Sequence, residues 1–516
     1  MPTFAAASHT THSCSAPRIE FPSAKVQGVC RTAISHYRFA AERLAIIGQP
    51  TRVLRMGVAI VLVVLIAGSV LFHLLSPWYF TEIASNWSAI DDTISVTFWV
   101  TGVVFVVVNL FMAYAIYRYR HRREARAHYE PENKKLEWWL LAVTAVGVAA
   151  MLTPGLFVWA RFVNVPKDTA VVEAVAQQWN WKYRFPGKDG KLGTVNARNV
   201  SEGNPFGISP DDPDGRDDIV VDSPELHLPL GKSVKVLLRS NDVLHNFTVA
   251  QFRVKMDFVP GLVTHIWFTP TRTGNFDLLC EELCGIGHFA MRGKVIIEDD
   301  AAFQAWLAQQ PTFAQTTSRP APDPAAGQAS YAVCAACHGA QGEGNEAMHA
   351  PKLAGLSGWY LKRQLGNFRH GVRGTNPKDA NGQTMAPMAA TLPDDAAVDN
   401  VVAYISTLPD RPASPTLKGN PHDGAQRFVT CAACHGADAG GIAATNAPRL
   451  RGMSDWYMFT QIRNFRDGVR GGHPQDGYGP QMALFAAMLR DDQSIRDVIA
   501  YIDTLPVAPA PAGAGK

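Results

Sequence analysis

The chain has 516 residues, 47% of them hydrophobic and 18% charged, with eight cysteines and a formal net charge of +3. That length is too great for one domain. The near-balanced charge selects no particular partner and gives no sign of nucleic-acid binding, because the one dense basic cluster is accounted for by membrane topology.

Residues 1–55 are an unpatterned mix of Ala, Ser, Thr and His, read as a disordered extension, with Met56 as an alternative start. Cys14 and Cys30 precede the first apolar segment without a lipidation signal and read as free thiols on the reducing side of a membrane. Apolar stretches at about 57–76, 94–117 and 138–160 are each long enough to cross a ~30 Å hydrocarbon core at ~20 residues per span, giving a membrane region over 56–164. Between the second and third lies Arg118-Tyr-Arg120-His-Arg122-Arg123-Glu-Ala-Arg126, with Lys134 and Lys135 soon after. The positive-inside rule makes that loop cytoplasmic. The third span then delivers everything after about residue 165 to the external face. The first stretch, preceded by Arg52 and Arg55, reads as an added helix or an export signal, with Ile83-Ala84-Ser85 the only weak cleavage candidate. Glu137, just before Trp138-Trp139 at the cytoplasmic end of the third span, reads by itself as an interfacial carboxylate beside an aromatic belt.

Over 165–310, short alternating runs such as Val234–Leu238, His265–Phe268 and Lys294–Ile297 predict an antiparallel sandwich. Trp179, in Gln178-Trp179-Asn-Trp181-Lys-Tyr183, reads by itself as a strand aromatic packing that core. His245 is followed at a distance by Cys280-Glu-Glu282-Leu-Cys284-Gly-Ile-Gly-His288-Phe-Ala-Met291. Two thiolates, two imidazoles and a thioether form a soft, sulfur-rich donor set that suits copper better than zinc. Two coppers bridged by both thiolates would use the whole set, each also taking one His and one weaker ligand, Met291 or the Glu282 carbonyl. A structural zinc site and a Cys280–Cys284 disulfide are the competing readings. A copper chaperone would leave His288 and Met291 unexplained.

Beyond a Pro-rich break at Pro311–Gly327, Cys334-Ala-Ala-Cys337-His338 recurs as Cys431-Ala-Ala-Cys434-His435, an offset of 431 − 334 = 97 that holds without gaps to Leu505-Pro506. The unit is duplicated, as repeat 1 (325–410) and repeat 2 (420–507), with a second break at Asp410–Pro421 and a disordered tail over 508–516. C-x-x-C-H is the signature of covalent haem attachment through two thioethers, with the adjacent His as axial ligand. Met385 and Met482 are the only methionines that coincide under the 97-residue shift and are taken as the opposite ligands. Met388 and Met488 read as core or loop residues, and His349, His370 and His473 as solvated side chains. Ser357–Phe368 and Asp394–Leu408 are expected to be amphipathic helices, the latter with Val398, Val401, Val402 and Ile405 on one face.

The segments Ser240–Phe247, Lys255–Gly261, Cys280–Met291 and Gln178–Tyr183 together resemble subunit II of haem-copper cytochrome c oxidase, and each repeat resembles a class I cytochrome c domain. The resemblance implies a cupredoxin-like sandwich after transmembrane helices and before two all-α cytochrome domains. It implies a dinuclear copper A centre held by His245, Cys280, the Glu282 carbonyl, Cys284, His288 and Met291. It also implies a magnesium ion shared with subunit I through the Glu282 side chain, and Trp179 as the aromatic where electrons enter. Glu137 matches a glutamate near the mouth of a proton channel of subunit I. The chain departs from the family at Asn246-Phe247, where a small residue and Trp are usual, and in the polar insertion Asn196–Asp218.

The implied role is electron transfer from an external donor, cytochrome c or a quinol:cytochrome c reductase complex, to subunit I for reduction of oxygen. The implied setting is a multi-pass protein of the bacterial inner membrane, among lipid and other oxidase subunits, with its copper and haem c domains on the periplasmic side. A nitric oxide reductase subunit is the alternative within the enzyme class, and a membrane-anchored copper chaperone or carrier the alternative outside it. A flexible linker over 311–327 would reach roughly 20–25 Å, making the encounter of cytochrome and copper domain a tethered one.

Overall fold

The computed structural model describes residues 52–76, 81–120, 126 and 129–507. Cys14, Cys30, most of the basic loop and the tail beyond 507 lie outside the described residues. Helices α1 (Arg52–Leu75), α2 (Ser88–Arg118) and α3 (Lys134–Val163) are long and apolar enough to cross a membrane, with mean hydropathies of 2.8, 2.2 and 2.0 over their apolar spans. Ala113 is the buried residue of α2, and α3 has none. A helix apolar on all faces and uncovered by protein suits lipid, where every backbone group must be satisfied within the helix.

Ten strands follow: β1 (Ala170–Gln177), β2 (Asn180–Phe185), β3 (Ile219–Val221), β4 (Glu225–Pro229), β5 (Val234–Ser240), β6 (His245–Val249), β7 (Val254–Phe258), β8 (Thr264–Phe268), β9 (Gly274–Leu279) and β10 (Arg292–Glu298). They form two five-stranded sheets, ordered β3-β2-β1-β5-β8 and β4-β10-β9-β6-β7. Alternate residues point between the sheets, so Trp181, Tyr183, Phe247, Phe258 and Phe268 are wholly buried there. The expected sandwich is present, with one parallel pair in each otherwise antiparallel sheet, β1 with β5 and β4 with β10. Because β9 lies between β6 and β10, the loop from Cys280 to Met291 emerges beside His245, the first residue of β6.

The insertion Asn196–Asp218 hides Phe206 and Ile208 completely, in a cluster with Val175 and Phe313. Beside it the buried Arg184 guanidinium meets Glu173 at 2.5 Å and Asp218 at 2.7 Å, and donates to the Gly193 carbonyl. Arg239 donates to Glu173 and to the Phe206 carbonyl. Such a network costs desolvation and is tolerated because each charge is paired. The stretch expected to be a free linker is largely docked. Thr312 bridges to Ile219, the Phe313 N–H donates to the Asp218 carbonyl at 2.7 Å, and Phe313 is buried after the short helix α4 (Asp300–Leu307). Apolar burial of Phe313 holds this segment down, so residues 318–323 alone connect helix α5 (Phe313–Thr317) to repeat 1.

Repeat 1 comprises α6 (Pro324–His338), α7 (Gly358–Arg369), α8 (Ala380–Ala389) and α9 (Asp395–Ile405). Repeat 2 comprises α10 (Pro421–His435), α11 (Asp455–Arg466), α12 (Gly479–Ala486) and α13 (Asp492–Asp503). The first helix of each repeat starts alike, with an Asp323 or Asn420 cap followed by Pro. It crosses the last helix at a glycine. A Cβ on Gly327 would lie 2.0 Å from the Asn400 carbonyl oxygen, and one on Gly424 would lie 1.9 Å from that of Asp497. The face expected on α9 is buried at Val398, Val401, Val402 and Ile405.

The two repeats are locked together by charge. Lys352, 1% exposed, donates to Asp410 at 2.7 Å and to the Gly452 carbonyl, while Arg449 meets the other Asp410 oxygen at 2.5 Å and donates to the Gly355 carbonyl. Lys352 and Arg449 are equivalent under the 97-residue shift, so one carboxylate from the connector clasps both repeats. Asp410→Ala leaves the Lys352 ammonium buried and unpaired, and should destabilise the pair of repeats by about 3 kcal/mol. Thermal unfolding followed by circular dichroism checks this, with exposed Asp423→Ala as a near-neutral control.

Candidate metal and haem sites

His245, Cys280 and Cys284 are buried, with potential ligand atoms all within 4.8 Å of one another. The two Sγ atoms lie 3.7 Å apart without a bond, so this structure holds no disulfide between them. Cys280 Sγ is 3.2 Å from the Glu282 carbonyl oxygen, and Cys284 Sγ is 3.5 Å from His288 Nδ1 and 3.9 Å from Met291 Sδ. All six residues expected to hold copper are therefore gathered at one end of the sandwich. The sulfur pair shares its protons unevenly: its mutual hydrogen bond, then His245, favour a Cys280 thiolate, while that same bond and burial hold Cys284 protonated.

His245 Nε2 lies 2.8 Å from Asp242 Oδ1, and its Nδ1 is buried without a hydrogen-bond partner. Burial opposes charge on His245, but Asp242 and Cys280 together outweigh it and raise the pKa. An imidazole fixed through one nitrogen, with the other orphaned against thiols, is what a metal ligand requires. The donor set and this orphaned atom fit a soft metal pair. Asp242 was missed from the sequence, where an acid three residues before a His carries no signal.

Trp179, 5% exposed, donates from Nε1 to the Cys284 carbonyl at 3.1 Å, and Gln178 donates to the same oxygen at 2.8 Å. The indole lies flat on the sulfur loop: a Cβ on Gly287 would fall 2.4 Å from its ring. On its other side is repeat 2. Gln481 donates to the Trp179 carbonyl, Asn180 donates to the Ala444 carbonyl at 3.4 Å, Tyr478 donates to Asp222 at 2.7 Å, and the Phe289 and Phe485 rings are 5.1 Å apart.

One continuous cavity runs from Trp179 and Gly287 past Cys431, Cys434, His435 and Met482 to Cys334, Cys337, His338 and Met385. His338 Nδ1 is 2.8 Å from the Pro351 carbonyl, and His435 Nδ1 is 2.7 Å from that of Pro448. A carbonyl only accepts, so the proton sits on Nδ1 and leaves Nε2 as a lone-pair donor. Burial lowers both histidine pKa values and keeps them neutral. The same burial pushes the Cys431 thiol up to about 11 and Cys434 to about 12. Neutral imidazole, paired thiols and an apolar cavity fit a covalently attached haem in each repeat.

Between the two halves of the cavity Arg373 reaches Gln364 in its own repeat and Tyr457 and Gln461 in the other. Arg470 reciprocates with Gln461, Gln364 and Tyr360. Arg373 Nε remains buried without a partner. Arg373 and Arg470 are equivalent under the 97-residue shift.

Met388 and Met488 are exposed, as are His349 and His370, and His473 is half-buried. Glu137 sits exposed in the first turn of α3, away from these sites in sequence and in a different part of the chain. The Glu282 side chain is half-buried, and among the described residues no second cluster of metal-ligating side chains surrounds it.

Residues 170–299 match the family described as Cytochrome C oxidase subunit II, periplasmic domain, and residues 324–409 and 422–506 match Cytochrome c. The chain is 59% identical over 264 residues to the alternative cytochrome c oxidase subunit 2 of Bradyrhizobium diazoefficiens, covering 51% of this chain and 95% of that one. It is 32% identical over 172 residues to the thiosulfate dehydrogenase electron acceptor of Stutzerimonas stutzeri, covering 31% of this chain and 74% of that one. The solved periplasmic domain of cytochrome oxidase subunit II from Bradyrhizobium japonicum is 28% identical, covers 28% of this chain and 95% of its own, and has a TM-score of 0.21. A subunit II domain implies copper A, and cytochrome c domains imply haem c. The chain belongs to the cytochrome c oxidase subunit II family, extended at its C-terminal side by two cytochrome c domains.

Proposed function

We propose that this chain is the electron-transfer subunit of a membrane haem-copper oxidase, anchored by several spans in a bacterial inner membrane, taking electrons through its two haem c domains and copper A to subunit I for reduction of oxygen to water. The observation that carries the proposal is the continuity from the sulfur loop through Trp179 into the cavity of repeat 2. His245, Cys280, the Glu282 carbonyl, Cys284, His288 and Met291 would hold copper; Cys334, Cys337, His338 and Met385 one haem, and Cys431, Cys434, His435 and Met482 the other. Bound there, these groups supply one-electron carriers.

The protein's own part is to hold their ligands still and keep water out. Asp242 orients His245, the Pro351 and Pro448 carbonyls orient His338 and His435, and Gln178 and Trp179 pin the Cys284 backbone. Repeat 2 packs over Trp179, so the order repeat 1, repeat 2, sulfur loop is the one the contacts favour. This replaces the tethered encounter with a seated one. A magnesium ion at Glu282 would need ligands from subunit I, and Glu137 would serve proton uptake only in contact with that subunit; both assignments rest on resemblance.

The decisive experiment is oxygen and nitric oxide uptake by the native complex, purified through a tag after Lys516, recorded beside its haem spectrum. Oxygen uptake with a non-c haem present is expected; nitric oxide uptake alone would reassign the terminal reaction. Cys284→Ser should abolish the copper–thiolate absorption while leaving both c-type haem bands, which optical spectra and metal analysis check. Trp179→Phe removes the indole N–H that holds the Cys284 carbonyl. It should slow internal oxidation of the haems by about tenfold, with copper content unchanged, in flow-flash or stopped-flow absorbance.

A further inference from the structure

The duplication gives the same surface two different fates. Repeat 2 meets the copper domain through positions including Cys434, Ala444, Tyr478, Gln481 and Phe485. Under the 97-residue shift these correspond to Cys337, Ala347, Asn381, Thr384 and Met388 of repeat 1. In repeat 2 most of them are half-buried by the contact, whereas Ala347, Asn381, Thr384 and Met388 are all exposed. Val333, 47% exposed, and Met348, 52% exposed, extend the open face, and both line the same cavity as Cys334 and His338. Among the described residues, the hydrogen bonds joining the copper domain to the cytochrome pair come from repeat 2, and none of those residues covers the equivalent face of repeat 1.

We infer that this face of repeat 1, centred on Val333, Met348 and Met388, is the docking surface for the external electron donor, and that the donor is a small protein presenting an exposed, largely apolar haem edge. The inference rests on the electron-transfer reading above and deepens it. The chain itself supplies the precedent for the occupant: the matching face of repeat 2 seats a redox domain through an aromatic contact, two amide hydrogen bonds and one bond from the Tyr478 hydroxyl to the Asp222 carboxylate. The matched positions on repeat 1 carry no charge, and Glu346 and Lys378 flank them with opposite signs. Recognition is therefore apolar, and association should depend only weakly on salt and on the sign of the donor's charge. The aromatic at which electrons enter the family's copper domain, Trp179, is sealed beneath repeat 2, which removes the competing surface. In each productive encounter one electron leaves the donor, whose ferrous haem becomes ferric, and repeat 1 is reduced by one; no proton or group changes hands.

The test uses the full oxidase complex in nanodiscs on a biosensor, with two probes, one acidic and one basic class I cytochrome c, alongside stopped-flow reduction by each. Met388→Glu, Met388→Lys and Ala347→Glu should each weaken binding of both probes by about tenfold or more, because a charge of either sign must be desolvated at the contact. Val429→Glu, at an exposed position of repeat 2, should leave binding unchanged. Reduction by ascorbate with a small phenylenediamine mediator should stay at the wild-type rate in every variant, as should the haem spectra. Wild-type complex that binds neither probe, variants that bind both normally, or an effect of one charge sign only would overturn the inference. Loss of covalent haem, or no turnover with the small mediator in wild type, would count against the electron-transfer reading instead.

Discussion

A single carbonyl oxygen organises the functional end of the sandwich. The Cys284 carbonyl accepts from both Gln178 and Trp179, and so ties the turn between β1 and β2, which belongs to one sheet, to a loop growing from the other. With that tie in place the indole can lie on Gly287, where a methyl group would collide with it. The same turn then offers its Trp179 carbonyl to Gln481 and carries repeat 2. Buried hydrogen bonds of this sort are worth about 1 kcal/mol each in stability. Their larger effect here is geometric, since they set three modules in register around one side chain.

The duplicated repeats show how one scaffold serves two positions. Helix caps, glycine crossings and histidine–carbonyl bonds are retained in both copies, because these shape the cavity and fix the histidine that lines it. The rim has diverged. Where repeat 2 carries Tyr478, Gln481 and Phe485, which grip the copper domain, repeat 1 carries Asn381, Thr384 and Met388. Between the copies the reciprocal Arg373 and Arg470 contacts do for the two cavities what Lys352, Arg449 and Asp410 do for the outer seam. Each Arg also lies over a phenylalanine of its own repeat, 4.5 Å from the ring centroid.

Much of the candidate site was legible in the sequence because its residues sit close together along the chain. The span from Cys280 to Met291 and each C-x-x-C-H string announce themselves by spacing, and the 97-residue shift picks out Met385 and Met482. The sandwich and the amphipathic helices follow from periodicity. What could not be read depends on residues distant in sequence. Lys352 looks like a solvated lysine until Asp410 is brought to it. Phe206 and Ile208 sit in a stretch whose average polarity hides them, and their burial needs Val175 and Phe313 from either side. The apparent linker had the composition of a flexible segment, yet one buried phenylalanine and two backbone hydrogen bonds, from Phe313 to Asp218 and from Val220 to Pro311, fasten it. Parallel pairing in the sheets likewise follows from connectivity, which alternation of side chains does not encode.

Fastening the connector has a kinetic meaning. With Phe313 anchored, Asp410 clasped by both repeats and Gln481 seated on Trp179, no domain has to diffuse between turnovers. A tethered cytochrome would be slowed by anything that thickens the medium, as each cycle would include a search. In a seated one, an internal electron-transfer step would be insensitive to solvent viscosity.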